Sequence, residues 1–159
     1  MRLVADKMLA KLARWIRLGG HKIEDATTNS DDSLIKYVRT RHAVLLTQDE
    51  ALANRARRQH FRVLLVKGNG IEEQLAFVAK NLGLRLSTKP SGICPYCNAR
   101  LIRVDKARIK LPEKVARRYR VFYKCPECGR VYWHGSHWKK IESRLKEAKR
   151  IEKSLSNVA

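Results

Sequence analysis

Two sets of residues in this chain have types and spacings that suit chemistry. The first is four cysteines in two C-x-x-C pairs, Cys94 and Cys97 in "CPYC" and Cys125 and Cys128 in "CPECG". Thiolates so spaced, with none left over, suit a tetrahedral four-cysteine zinc site. Pro after the first Cys of each pair and Gly after Cys128 favour tight knuckles whose backbone N–H groups point at sulfur. Four thiolates leave no open coordination position, so the expected Zn²⁺ is structural and folds its module rather than catalysing. A disulfide framework suits a secreted chain, and a redox dithiol normally occurs singly beside a βαβ pattern.

The second set is acidic. Asp6 ends "RLVA", Asp31 and Asp32 open "DDSLI", and Asp49 follows "AVLLT". Each alone also reads as a helix cap or dipole partner, and Thr47-x-x-Glu50 fits a capping box. Gathered together, these carboxylates would repel one another unless a cation joined them, and a hard ion such as Mg²⁺ or Mn²⁺ takes oxygen ligands of this kind. The chemistry would be phosphodiester hydrolysis, in which a metal activates water and offsets charge on the scissile phosphate. Lys7, Lys11 and Arg14 follow Asp6 at i, i+4 and i+7 spacing, either to hold flanking phosphates or as a solvated helix face.

The elements that position these groups alternate. "RLVA" is a short strand. "DKMLAKLARWIRLGG" is a helix with Met8, Leu9, Leu12, Trp15 and Ile16 on one face and a Gly stop. "HKIEDAT" (His21–Thr27) is a modest strand, and "SDDSLIKYVRTR" is a helix capped by Ser30 with Leu34, Ile35 and Val38 inward. "AVLLT" is a strand, then comes a helix from Asp49 to Arg58, the strand "RVLLV" and the helix "IEEQLAFVAKNLG". Alternation with continuous apolar runs predicts an α/β fold, a parallel sheet flanked by helices. In such a sheet the strand-to-helix junctions share the carboxyl edge, which would bring the acids to one side.

Composition divides the chain. Its 35 Lys and Arg against 15 Asp and Glu give a formal net charge of +20. Residues 1–88 carry +7 and residues 89–159 carry +13. The expected organisation is an α/β domain over 1–87, a linker over 88–92, a small β zinc ribbon over 93–136 and a basic C-terminal helix over 137–159. Ile141, Leu145, Ala148 and Leu155 form one stripe of that helix. Within the ribbon the basic run includes Arg103, Lys106, Arg117, Arg118 and Arg120, on strands joined by long hairpins. Tyr132, Trp133, His134, His137 and Trp138 follow. Trp133 and Trp138 either stack on unpaired bases, or Tyr132 and Trp133 pack the ribbon against the first domain.

Such a charge points to a polyanionic partner, RNA before a membrane, because no apolar run approaches the ~20 residues a spanning helix needs. "MRLVAD" is no secretory signal, so a cytoplasmic location is expected.

The segments "LVADKMLAKLARWIRLGG", "DDSLI", "LLTQDEALANRA" and "CPYC…CPECGRVYWHGSHW" together resemble the PIN-like RNase domain family named after the C-terminal part of the mut-seven exonuclease. The likeness runs from Arg2 to about Ile141. It implies a PIN-like α/β domain with a C-terminal zinc ribbon and a metal-dependent endoribonuclease activity. By motif it places the acids at Asp6, at Asp31 or Asp32, and at Asp49, with Lys11 and Arg14 in the same opening segment.

Two readings follow. One is a divalent-metal-dependent endoribonuclease acting on structured, ribosomal RNA. The other is a non-catalytic rRNA-binding component of a ribosomal subunit on a PIN-like scaffold. A toxin-like RNase held by an antitoxin is less natural beside a zinc ribbon and this basicity.

Overall fold

The computed structural model describes residues 1–26 and 30–156. Four short strands, β1 (Leu3–Ala5), β2 (Glu24–Asp25), β3 (Val44–Thr47) and β4 (Val63–Leu65), form a parallel sheet in the order β2-β1-β3-β4. Leu3 lies opposite Val44, and Leu45 opposite Val63. Successive side chains point to opposite faces of a strand. Leu3, Ala5, Val44 and Leu46 enter one hydrophobic cluster, and Val4 and Leu45 enter the other. Burial on both faces is why these strands read as unbroken apolar runs.

Helices cover each face. On the first lie α1 (Ala10–Leu18), led by a 3-10 turn at Lys7–Leu9, and α4 (Ile71–Leu82). On the second lie α2 (Asp31–Arg41) and α3 (Glu50–Arg58), through Leu34, Ile35, Val38, Leu52 and Ala56. Ser30 caps α2 as expected, its hydroxyl accepting the Ser33 N–H at 3.2 Å. Met8, expected on the inward face, is instead exposed. The buried stripe is Leu9, Leu12, Ala13 and Ile16, and the tighter 3-10 turn swings Met8 off it. The expected strand His21–Thr27 is shorter than read: of its described residues, 21–26, only Glu24–Asp25 pair as strand, and Thr27 lies outside the described residues.

The smaller sheet is antiparallel, with β5 (Ile102–Val104), β6 (Phe122–Lys124) and β7 (Val131–Tyr132) in that order. The expected hairpin between β5 and β6 holds more than a turn, because a short helix α5 (Glu113–Arg118) and a 3-10 turn (Lys106–Arg108) fold within it. Pro112, immediately before Glu113, is a helix-start signal that the surrounding cations obscure.

The chain then returns. Helix α6 (Ser136–Ser156) lies along α4 and inserts Leu145 and Ala148, both fully buried, into the first cluster, with Ile141 packed beside them. Leu155, read onto the same stripe, is exposed. The position between Ala148 and Leu155 on that stripe is Glu152, so the apolar face ends before Leu155. Residues 157–159 of the expected helix lie outside the described residues.

Leu145→Ala is expected to cost about 2–5 kcal/mol, the range for truncating a buried leucine. Denaturant unfolding measures it, and a midpoint matching the wild type would mean that α6 is not part of the core. Arg144 adds an ion pair to Glu72 of α4, and that hydrogen bond holds the Glu72 carboxyl below the ordinary carboxylate range. A carboxyl depressed on folding stabilises above its unfolded pKa, about 4.3, and that contribution fades as pH falls through the lower folded value. Arg144→Ala should therefore narrow the stability difference between neutral and acid pH, as read by melts at pH 7 and pH 3.

Candidate functional site

Asp6 is fixed at the carboxyl end of β1, where its N–H donates to Leu46 O at 2.9 Å and extends the ladder with β3. On the neighbouring strand Thr47 is fully buried. Its hydroxyl donates to Asp6 Oδ2 at 2.9 Å and accepts the Asp49 N–H at 3.0 Å. Asp49 then caps α3, Oδ1 accepting the Leu52 N–H at 2.9 Å. The cap is Asp49 rather than the Thr47-x-x-Glu50 box, because Thr47 is still in β3 and turns its hydroxyl to Asp6. These two strands are the sheet's switch point: β1 leads into α1 on one face and β3 into α3 on the other. Ligands of open α/β sheets bind in that crevice.

Asp31 and Asp32 open α2 and face a different partner. Arg55 of α3 pairs closely with Asp32 and lies 4.0 Å from Asp31. The structure thus joins Asp6 to Asp49 through Thr47, and Asp31 to Asp32 through Arg55. Among the described residues it gathers no three of these carboxylates within 4.8 Å. The described hydrogen bonds engage one oxygen of Asp6 and one of Asp49. Two carboxylates suit Mg²⁺, which is commonly held by one or two of them, with waters and substrate phosphates completing the shell. Thr47 and Arg55 carry the geometry; by sequence Thr47 reads only as a capping-box residue, and Arg55 is one cation among many.

Lys7 and Lys11 are exposed. Arg14, at the far end of their stripe, stacks on Tyr96 with its guanidinium carbon 4.6 Å from the ring centre, and Arg130 covers the same ring at 4.1 Å. Arg14 is thus tied to the first cysteine knuckle. Arg117, Arg118 and Arg120 are exposed on and just after α5, Arg117 pairing with Glu113.

The four cysteines converge, every Sγ within 4.8 Å of the others. Cys94 to Cys128 is 3.7 Å and Cys97 to Cys125 is 3.2 Å. A tetrahedral ion with bonds of about 2.3 Å requires sulfurs roughly 3.8 Å apart, so the cluster can hold a metal such as zinc. The two knuckles repeat one design. Cys94 and Cys125 donate their N–H groups to Ala99 O and Arg130 O, and accept from Asn98 and Gly129. Asn98 and Gly129 occupy the same place with φ of 69° and 74°, the left-handed region that Asn and Gly adopt most readily. The Arg130 backbone N–H and then its guanidinium hold the Cys128 thiol down at about 6, whereas burial pushes Cys97 up to about 12. Tyr132 places its hydroxyl 3.2 Å from Cys94 Sγ, and burial raises its pKa, so it remains a proton donor. Tyr132 therefore packs on the cysteine cluster, and Trp133 on Phe122 at 6.4 Å between ring centres. Both of these contacts lie within the ribbon.

Among the described residues, Arg17 makes the densest set of hydrogen bonds between the two parts. Arg17 of α1, only 1% exposed, donates Nε and Nη2 to Ile23 O, Nη1 to Pro95 O at 3.0 Å and Tyr96 O at 3.2 Å, and Nη2 to Asp25 Oδ2 at 2.9 Å. Ile23 N–H donates to Asn98 Oδ1 at 3.2 Å, and Ser91 Oγ to Arg17 O at 2.8 Å. The Ser/Pro/Gly segment expected as a linker is strapped along the end of α1.

A family model described as the Mut7-C RNAse domain matches residues 1–145. The chain belongs to the Mut7-C RNAse domain family. No curated protein and no solved structure matches the chain. Membership gives this chain a ribonuclease-like, RNA-related function. The Mut7-C match spans the α/β layers, the ribbon and α6 as far as Leu145, the residue that docks α6 into the core. No helix among the described residues is long and apolar enough to cross a membrane.

Proposed function

We propose that this Mut7-C protein is a divalent-metal-dependent endoribonuclease that acts on structured RNA, with Asp6 and Asp49 as its metal-holding pair and a structural zinc in the ribbon. The observation that carries this reading is the Asp6–Thr47–Asp49 chain of hydrogen bonds across the switch point. The buried Thr47 hydroxyl holds the Asp6 carboxylate and the Asp49 backbone N–H, while the Leu52 N–H holds the Asp49 carboxylate, a preorganisation that suits phosphoryl chemistry. Mg²⁺ or Mn²⁺, when bound, supplies activation of water and neutralisation of the scissile phosphate. Lys7 and Lys11 lie on the turn and helix that follow Asp6, placed to hold phosphates flanking the cut.

Asp49→Asn tests the reading, because Asn is as good a cap as Asp and only the charge changes. Stability should move by no more than about 1 kcal/mol, the usual scale of a dipole interaction. Mn²⁺ should raise the melting temperature of the wild type but not of the variant, and RNA cleavage should fall on the order of 10²-fold or more.

A second reading rests on Arg55. Its guanidinium pairs with Asp32 and lies 4.0 Å from Asp31, as suits a non-catalytic rRNA-binding protein that keeps the scaffold and binds through its basic surface. Absence of any Mn²⁺ shift in the wild type, with stoichiometric co-sedimentation on ribosomal particles in high salt, would select it.

A further inference from the structure

The insertion between β5 and β6 builds a site of its own. Arg103 on β5, Lys106 in the 3-10 turn, Arg117 on α5 and Arg120 just after it line one open groove of about 730 Å³, together with Val104 and Asp105. Asp105 caps the turn, its Oδ1 accepting the Ala107 N–H at 2.9 Å, and as a single carboxylate it leaves the lining of the groove net positive. Arg117 has Glu113 as a partner, but among the described residues no carboxylate pairs with Arg103, Lys106 or Arg120. Four cations held around one concavity repel one another, and a chain of phosphates relieves that repulsion.

The aromatic residues narrow the ligand. Single-stranded RNA is gripped by open ring faces on which bases stack. No ring lines this groove. Elsewhere the rings are engaged: Trp133 with Phe122, Trp138 with His134, His134 with Tyr123, and Tyr96 between Arg14 and Arg130. A second cationic groove lies on α6, where Lys146, Lys149, Arg150 and Lys153 line about 330 Å³ with Thr88 and again without a ring, although Lys146 pairs with Glu142 and Arg150 with Glu147. A surface with open cations and occupied rings matches a ligand that presents phosphates and hides its bases, as an A-form duplex does.

We propose that the Arg103–Lys106–Arg117–Arg120 groove binds the sugar–phosphate backbone of base-paired RNA, so that duplex segments are selected by charge and shape rather than by base stacking. The proposal deepens the RNA reading above and does not depend on cleavage. The test is fluorescence anisotropy on the full chain, with a mixed-sequence RNA duplex of about 16 base pairs and an unstructured single strand of equal length. The wild type should bind the duplex at least ~10-fold more tightly at matched salt, and R103E/R120E should lose about that factor and flatten the logarithmic salt slope by roughly 2. Both positions are exposed; R103Q/R120Q, checked for metal content and melting temperature, covers the case in which reversal disturbs the fold.

Unchanged duplex affinity and slope in the variants would overturn the groove assignment. Equal or tighter binding of the single strand would overturn the duplex selection, and equal binding of a DNA duplex would overturn the assignment to RNA. Duplex binding without cleavage would sink only the catalytic reading, whereas failure of every nucleic acid to bind would sink both.

Discussion

Arg17→Met is expected to lower stability by about 3–5 kcal/mol, the cost of breaking a buried charged network from one side. On a chain of this length that is a fall of roughly 10 °C in melting temperature. The reason is accounting of donors. Among the described residues Arg17 alone serves Ile23 O, Pro95 O, Tyr96 O and Asp25 Oδ2, and each oxygen would be left in place without that donor. Asp25 is already short of partners, its Oδ1 being buried with none among the described residues. Arg17→Lys should recover only part of the loss, because one ammonium cannot reach carbonyls on two sides as a planar fork does. The pair of variants separates lost packing from lost hydrogen bonding. Two of the orphaned carbonyls belong to the first cysteine knuckle, so Arg17→Met should also speed metal release to a chelator. Wild-type melting and release rates in Arg17→Met would show that the contact is incidental.

Cys125→Ser should have the larger local effect. Metal binding and folding are one process in such modules, with apparent free energies of about 10–16 kcal/mol for structural zinc. Elemental analysis should find one tightly held zinc per wild-type chain and substantially less in the variant. Hydrogen exchange should lose protection across residues 93–132. The loss should extend to Ile23, whose N–H bonds Asn98 and whose carbonyl bonds Arg17. Helices α1 to α4 keep their cores, and α6 stays held by Leu145 and Ala148. Full metal content in Cys125→Ser, or an ordered ribbon after chelation, would refute the role of the cluster.

These two effects also mark how far the sequence can be read. Local signals were legible: Ser30 and Asp49 start helices where their side chains suggest, and the runs at 44–47 and 63–65 became central and edge strands of a parallel sheet. The cysteine spacing likewise announced its cluster. The illegible residues act over distance. Arg17 reaches Pro95 across 78 positions, and Thr47 reaches Asp6 across 41. Helical spacing sets Arg17 four positions after the buried Ala13 and off the stripe of Lys11 and Arg14, but nothing local names the distant carbonyls it serves. The acidic edge was half legible for the same reason. Topology brought Asp6 and Asp49 together, but only coordinates reveal that Arg55 has claimed Asp31 and Asp32.

The docking of α6 on α4 has a consequence for how the protein is made. During translation the apolar side of α4 is complete once residue 82 has emerged, yet its cover, Leu145 and Ala148, is synthesised last among the core residues. The nascent chain therefore carries an uncovered hydrophobic strip throughout synthesis of the ribbon. Closure of the first-made domain awaits its most distant contact, so folding should be slow, and truncated products ending before residue 145 should aggregate or be degraded.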